Sequence, residues 1–292
     1  MRGGVLFIYT LFPLHAGGEA VLGPVDLPIQ REKPLDFPII QSSEIKGALR
    51  SFLKDKNLAR KFFGSPPEES PTQSGSAIIA DAKLLLYPVK SLKGTFAWIT
   101  CPLILERFLR DLEIVGLTGF KNKVSFEVLK EVKDDKALAA PQSENKIDRR
   151  AVLEEIEVEI EEREEVRVIS EALKEFIPEE KWKEKLTSRF IIVNDDLFRK
   201  FTKFYSYVVT RVRLTEEKVV DEGPWTVEAL PPETLLYSPL LFIPQRAKDE
   251  KLHEDFKSQF DGKVVQIGGD ETLGWGFSKL KVEVAGDEGE GA

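Results

Sequence analysis

The β-forming segments of this chain come in pairs, and that pairing limits its fold more than any other feature. AIIADAKLLLYPV and GTFAWITC are separated only by KSLK, while YVVTRVRL and LLYSPLLFI flank the polar stretch EEKVVDEGPWTVEALPPET. A parallel pair needs a crossover of a dozen residues or more, so the short KSLK link predicts an antiparallel hairpin. The longer polar stretch reads as a second hairpin projecting between two core strands. Helical patterns interleave with these pairs. SSEIKGALRSFLK (42–54) puts Ile45, Leu49, Phe52 and Leu53 at helical spacing behind a serine cap, and CPLILERFLRDLEIVG opens on Pro and stops at Gly116. Together these predict an α+β fold built as one domain over residues 1–292.

Further elements follow from periodicity. VLFIYT (5–10) reads as a buried strand, and in VLEEIEVEIEE the residues Ile156, Val158 and Ile160 alternate with Glu, the period of a half-buried strand. Helices are expected at 167–187, 195–208 and about 248–260, followed by a strand, a glycine-rich loop and a final strand in VVQIGGDETLGWGFSKLKVEV. FGSPPEESPTQSGS reads as a mobile polar loop, and no internal repeat of fixed period is present.

With 42% hydrophobic residues the chain can bury a sizeable core. No apolar run approaches the roughly 20 residues needed to span a bilayer, which predicts a soluble, cytoplasmic protein with no membrane partner. A lone Cys101 rules out a disulfide framework and a cysteine zinc site, and is expected in the core. Few Asn and Gln with 32% charged residues resembles a thermophile's composition. The net charge of −8 is uneven: residues 154–180 carry 12 acidic and 3 basic residues, or −9, which leaves +1 elsewhere, and residues 29–61 carry 8 basic and 4 acidic. An acidic element is thus grafted onto a body with a basic end.

Two features suit phosphate. In GGDETLGWG (268–276) the lysine position of a phosphate-binding GxxxxGK loop is Trp275, and the strand-like FSKLKVEV replaces the helix a dinucleotide-binding turn requires. What remains is a backbone nest at Gly268, Gly269, Gly274 and Gly276, or a plain turn. In the helix near residue 43, Lys46, Arg50 and Lys54 recur at i, i+4 and i+8 with Gly47 beside them, a stripe that either binds phosphate or is solvated surface. HAGGEAVLGPVDLPIQRE (15–32) is too rich in Gly and Pro for regular structure, and among such residues Asp26 alone would read as a turn former.

PLHAGG, LGPVDLPIQRE, SSEIKGALRSFL, ADAKLLLYPVKSLKGTFAWITCPLILERF, the stretch from TRVRL to VEALPPETLLYS, and IGGDETLGWGF occur in an order that resembles the repeated backbone subunit of the type III-B (Cmr) CRISPR effector complex, within the RAMP superfamily. The resemblance spans nearly the whole chain and is weakest over 118–190. It implies a ferredoxin-like, RRM-like core with insertions, the acidic one at about 118–190, and a projecting β-hairpin thumb at about 211–234. It further implies an endoribonuclease active in antiviral defence that binds CRISPR RNA and cuts complementary single-stranded target RNA at regular intervals. Its partners would be further copies of itself in a helical filament and other Cmr subunits.

By the same resemblance Asp26 matches an aspartate required for cleavage, His15 and Glu228 match candidate catalysts, and Asp81 matches an aspartate entering the second strand block. Asp is ionised but weakly basic near neutral pH. A Mg²⁺ or Mn²⁺ ion on one carboxylate, substrate phosphates and water would compensate, with the substrate's 2′-hydroxyl as nucleophile. Asp26 is therefore the expected metal ligand or 2′-hydroxyl orienter, with Asp81 either a second ligand or a buried hydrogen-bonding group. Glu228 is either such a catalyst or an exposed hairpin residue, and Trp225, near the thumb tip, either wedges against a base or packs on a neighbouring copy. His253 in KDEKLHEDFKS reads as surface. Two other functions compete: a non-catalytic RNA-binding scaffold, and a metal-independent nuclease that processes precursor CRISPR RNA.

Overall fold

A computed structural model describes residues 2–18, 23–66, 74–120, 124–133, 136–247 and 249–286. The AGGEA segment and the polar loop before residue 74 lie partly outside the described residues. In chain order the strands and helices are β1 (Arg2–Thr10), β2 (Ile39–Ile40), α1 (Ser42–Phe52), α2 (Lys56–Phe63), β3 (Ala77–Ile79), β4 (Ala82–Ser91), β5 (Thr95–Thr100) and α3 (Pro102–Ile114). There follow β6 (Lys136–Ala139), β7 (Arg150–Leu153), β8 (Ile156–Glu162), α4 (Glu164–Lys174), α5 (Glu180–Lys183), α6 (Leu186–Arg189), β9 (Phe190–Ile192) and α7 (Asp195–Phe204). The chain continues through β10 (Tyr207–Leu214), β11 (Val220–Ala229), β12 (Leu235–Phe242), α8 (Pro244–Ala247), α9 (Leu252–Phe260), β13 (Val264–Gln266) and β14 (Phe277–Val284). Among the described residues no helix is long and apolar enough to cross a membrane.

The α+β reading holds. One antiparallel run, β13-β14-β1-β12-β4, forms the first half of the molecule. β1 lies between two strands, so Val5 to Tyr9 are fully buried, which is why VLFIYT reads as an unbroken apolar run. Phe108 of α3 packs on Phe7 and on Tyr237. Phe242 lies five residues from Tyr237 and so points to the other face of β12, where Phe256 of α9 and Phe62 of α2 meet.

β4 also belongs to a second unit. The path β4-β5-β9-β6-β8-β7 returns to β4 through Ser91 opposite Leu153, closing a six-strand barrel. Two of its pairs, β5 with β9 and β6 with β8, are parallel, whereas the hairpin-like pairing in the sequence points to antiparallel strands. The β5–β9 pair joins strands far apart in sequence and the β6–β8 pair skips over β7, and hairpin reasoning between neighbouring strands reaches neither. β8 keeps its predicted period, with Val158 and Ile160 buried and Glu157 and Glu159 exposed, so the acidic segment supplies an outer barrel wall.

Several boundaries move. The helix expected at 167–187 is three short ones, because Pro178 lacks an N–H and disfavours helix before it. The helix expected at 195–208 ends at Phe204, and YVVTRVRL is no core strand but one arm of a separate two-stranded hairpin, β10–β11. That hairpin spans 207–229 rather than 211–234, and its outer part, including Val212, Leu214, Val219 and Val220, is exposed. His253 is buried rather than on the surface, with Nε2 2.9 Å from an Arg2 guanidinium nitrogen. Cys101 is buried as expected, and burial pushes its thiol pKa well up.

Candidate active site at the base of the β10–β11 hairpin

The irregular first loop lies against the edge of β11 that β10 leaves unpaired. Leu14 and Leu230 exchange backbone hydrogen bonds of 3.0 and 2.8 Å. Further along, the Leu27 N–H donates to the Thr226 carbonyl at 3.0 Å and the Glu228 N–H to the Leu27 carbonyl at 2.9 Å, a short parallel bridge. Segments about 200 residues apart in sequence are thereby joined side by side.

Asp26 sits at the start of that bridge and is exposed. Its Oδ2 accepts from the Thr226 N–H at 2.7 Å and the Thr226 hydroxyl at 2.8 Å, and its own N–H donates to Thr226 Oγ1 at 2.9 Å. Oδ1 accepts no hydrogen bond from the described residues. The Thr226 backbone and side-chain bonds favour the ionised form and hold the Asp26 pKa below the usual aspartate value. One carboxylate oxygen is anchored and the other is presented outward.

Glu228 is buried, not an exposed hairpin residue. Its Oε2 accepts from the Ile29 N–H at 3.0 Å and its Oε1 pairs with Arg31 at 2.5 Å. Arg31 also donates to the carbonyls of Thr202, in the last turn of α7, and Asp36, both at 3.0 Å. With both oxygens committed, Glu228 clasps the loop to the hairpin.

His15 joins the same strand from the other end of the loop. Its Nδ1 lies 2.6 Å from the Glu228 carbonyl, which fixes Nδ1 as the protonated nitrogen, and its own carbonyl accepts from the Gly269 N–H at 2.9 Å. Thr226 and Glu228 are two residues apart, so the Asp26 and His15 anchors lie about 7 Å apart along β11.

The glycine-rich loop closes over His15. A Cβ at Gly268 would stand 2.5 Å from the His15 carbonyl oxygen and one at Gly276 would stand 2.1 Å from the Ile267 carbonyl, and both residues have positive φ, so only glycine fits. The N–H groups of Gly269, Gly274 and Gly276 donate to His15, Glu271 and Pro13 carbonyls. Three of the four expected nest donors are thus turned inward, and these glycines serve close backbone approach. The loop also grips the hairpin: Arg211 bonds Asp270 at 2.9 Å and lies 4.4 Å from the Trp275 ring centroid, against which Tyr207 packs edge-on. Trp225 lies opposite Arg211, well down the ladder from the 215–219 turn rather than near the tip.

The basic stripe is only partly a surface. The helix begins at Ser42 with Gln41 as its cap residue, and the Ser42 N–H donates to Asp81 Oδ1 at 2.8 Å. Asp81 is exposed, not buried, and sits where the predicted strand breaks into β3 and β4, so it caps α1, and no contact among the described residues joins it to Asp26. Arg50 donates to the Phe63 and Gly64 carbonyls at 2.8 and 3.1 Å, which ties down the end of α2. Lys54 lies beyond the helix end, and Gly47 faces open space. Lys46 remains as a half-buried cation, its pKa lowered by burial and by neighbouring Arg50.

Among the described residues no three His, Cys, Asp or Glu side chains gather as a metal cage. Asp26 offers one outward oxygen, which fits a hard cation taking its other ligands from phosphate and water. Asp81 does not share that position. The sequence pattern marks none of Arg31, Arg211 and Trp275 as site residues, and for Thr226 the one signal is period-two spacing from Glu228.

A mixed sheet-and-barrel body, a glycine loop packed on the first loop, and an aspartate anchored to a projecting hairpin define a class, and this chain belongs to the RAMP superfamily, whose family profile matches residues 7–280. It is 37% identical over 300 residues to the CRISPR system Cmr endoribonuclease Cmr4 of Pyrococcus furiosus, covering 99% of this chain and 98% of that protein. The crystal structure of oligomeric Cmr4 from Pyrococcus furiosus superposes with a TM-score of 0.76 at 32% identity over 97% of this chain and 98% of that one. A chain in the cryo-EM structure of the type III-B Cmr-beta complex bound to cognate target RNA shares the fold, with a TM-score of 0.74 at 22% identity over 97% of each chain.

Proposed function

We propose that this chain is an endoribonuclease and the repeated backbone subunit of a type III-B CRISPR ribonucleoprotein, holding CRISPR RNA and cutting complementary target RNA. The observation that carries the reading is Asp26, exposed and anchored through one oxygen at the base of a projecting hairpin, in a chain 37% identical to a Cmr endoribonuclease. The four-strand run β14-β1-β12-β4, with α1 and α9 on its two connections, has the strand order of a ferredoxin-like core. The β10–β11 hairpin would be the thumb, and copies of the chain would stack along the guide, as oligomeric Cmr4 supports.

In the reaction the 2′-hydroxyl oxygen attacks the adjacent phosphorus and the bond from phosphorus to the 5′-oxygen breaks, leaving a cyclic phosphate and a 5′-hydroxyl. The 2′-hydroxyl proton is given up and the 5′-oxygen gains one. Asp26 Oδ1 accepts a hydrogen bond from the 2′-hydroxyl or helps hold a Mg²⁺ or Mn²⁺ ion, which supplies Lewis-acid stabilisation of the phosphate when bound. Its lowered pKa makes it a poor general base and a dependable anion. His15 shapes the loop between hairpin and glycine loop, Glu228 with Arg31 fixes the loop that carries Asp26 against the hairpin, and Lys46 faces the guide backbone with Lys54. Trp225 and the glycine loop would contact the bound RNA.

The test is cleavage of end-labelled complementary RNA by the assembled complex with Mg²⁺. Asp26→Ala should abolish the regularly spaced products while guide binding persists. Persistence of the ladder would leave a scaffold, and EDTA-insensitive cutting of a repeat-containing precursor would leave a processing nuclease.

A further inference from the structure

We propose that Thr226 is a positioning residue for RNA cleavage: it clamps one oxygen of Asp26 so that the other faces the scissile linkage. The inference rests on the assignment of Asp26 to the reaction. Asp26 lies in a Gly- and Pro-rich loop with no helix or central strand to hold its side chain, and it is exposed, so packing does not choose its rotamer. Three hydrogen bonds do, and all of them go to Thr226: two donated to Oδ2 and one accepted from the Asp26 N–H, at 2.7 to 2.9 Å.

The hydroxyl takes part in two of the three, donating to the carboxylate and accepting from the backbone N–H, so it closes a ring that fixes both the rotamer and the backbone of Asp26. Thr226 is in turn fixed by the β10–β11 ladder, where it lies opposite Thr210, and by its carbonyl, which accepts from the Leu27 N–H. The hairpin and the reactive oxygen therefore share one rigid connection. RNA seated on the hairpin meets Oδ1 at a set place.

Thr226→Val keeps the shape and β-propensity of the strand and removes the two hydroxyl bonds, leaving one N–H on Oδ2. Thr226→Ser keeps all three. Complexes assembled with each variant and CRISPR RNA are assayed in single-turnover cleavage of labelled complementary RNA across a range of complex concentrations, with Asp26→Ala alongside. The maximal rate of Thr226→Val should fall about 10- to 100-fold with the half-saturating concentration within about threefold of wild type, as expected for misplacing a reacting group by about 1 Å. Thr226→Ser should stay within about threefold of wild type. Wild-type rates for Thr226→Val beside an inactive Asp26→Ala would overturn the positioning role alone. An active Asp26→Ala would overturn the Asp26 assignment itself. A Thr226→Ser as slow as Thr226→Val, or a loss confined to half-saturation, would give Thr226 a merely structural or RNA-binding role and sink the proposal.

Discussion

Arg31 and Glu228 form the buried clasp between first loop and hairpin, and their coupling can be worked from the structure. Arg31→Ala leaves a carboxylate that is only 4% exposed with the Ile29 N–H as its remaining partner. Breaking one side of a buried pair costs about 3–5 kcal/mol. The Arg31 side chain is 16% exposed, so water can enter the vacated space, and the lower end, about 3 kcal/mol, applies. Glu228→Gln keeps an acceptor for Ile29 and loses the charge-assisted bond, costing about 2 kcal/mol. The double variant has no stranded carboxylate and should cost about 3 kcal/mol, so the coupling is about 2 kcal/mol.

Thermal unfolding of the purified chain measures this. For 292 residues the unfolding entropy is about 0.6 kcal/mol/K, so Arg31→Ala should lower the Tm by about 5 °C and Glu228→Gln by about 3 °C. The double variant should unfold near Arg31→Ala alone. Single effects that add to within about 0.5 kcal/mol would mean the two residues do not act as a pair.

Separating Lys46 from Arg50 gives a second check: Lys46→Ala should reduce the salt slope of guide binding by about 0.7 with an unchanged Tm, whereas Arg50→Ala should cost about 2 kcal/mol of stability by freeing the end of α2. Asp81→Ala removes the acceptor at the start of α1 and should cost about 1 kcal/mol with cleavage intact in the presence of Mg²⁺, and metal-dependent loss of activity would restore Asp81 as a ligand. Burial alone would raise the Asp111 pKa, but Lys83, Arg110 and Tyr237 outweigh it and hold the value below the ordinary one. A depressed folded pKa contributes stability above the unfolded value, about 3.9, and loses it as pH falls through the folded value. Asp111→Asn should therefore lower the Tm at pH 7 and flatten its fall below about pH 4, as followed by thermal melts across pH.

Local signals in the sequence carried the strands that are buried on both faces or half-buried, because their apolar periods are set by neighbours close in the chain: VLFIYT and IEVEIEE both keep the pattern their burial demands. The barrel was invisible because one of its parallel pairs, β5 with β9, brings together residues as distant as Trp98 and Phe190, and the other, β6 with β8, skips over β7. The basic stripe misled for a related reason. Helical spacing places Lys46 and Arg50 on one side of α1, yet it cannot say that the carbonyls at the end of α2 lie within reach of one of them. The glycines of 268–276 were legible as close-approach residues, but not what approached.

The same distinction decides how the candidate site should be understood. Asp26 was found through family resemblance, since nothing in its local sequence separates a reacting aspartate from a turn former. The structure supplies the missing physical reason: its partner is not in the turn but on β11, and the bonds lower its pKa rather than raise it. A general base is served by a pKa near the working pH, whereas an ion ligand or hydroxyl orienter is served by permanent charge and a fixed direction. Thr226 provides both, through two donors on one oxygen, while no described residue donates to the other. Under the proposed function the aspartate is therefore the group that holds a 2′-hydroxyl or a cation in place rather than the one that takes up the proton.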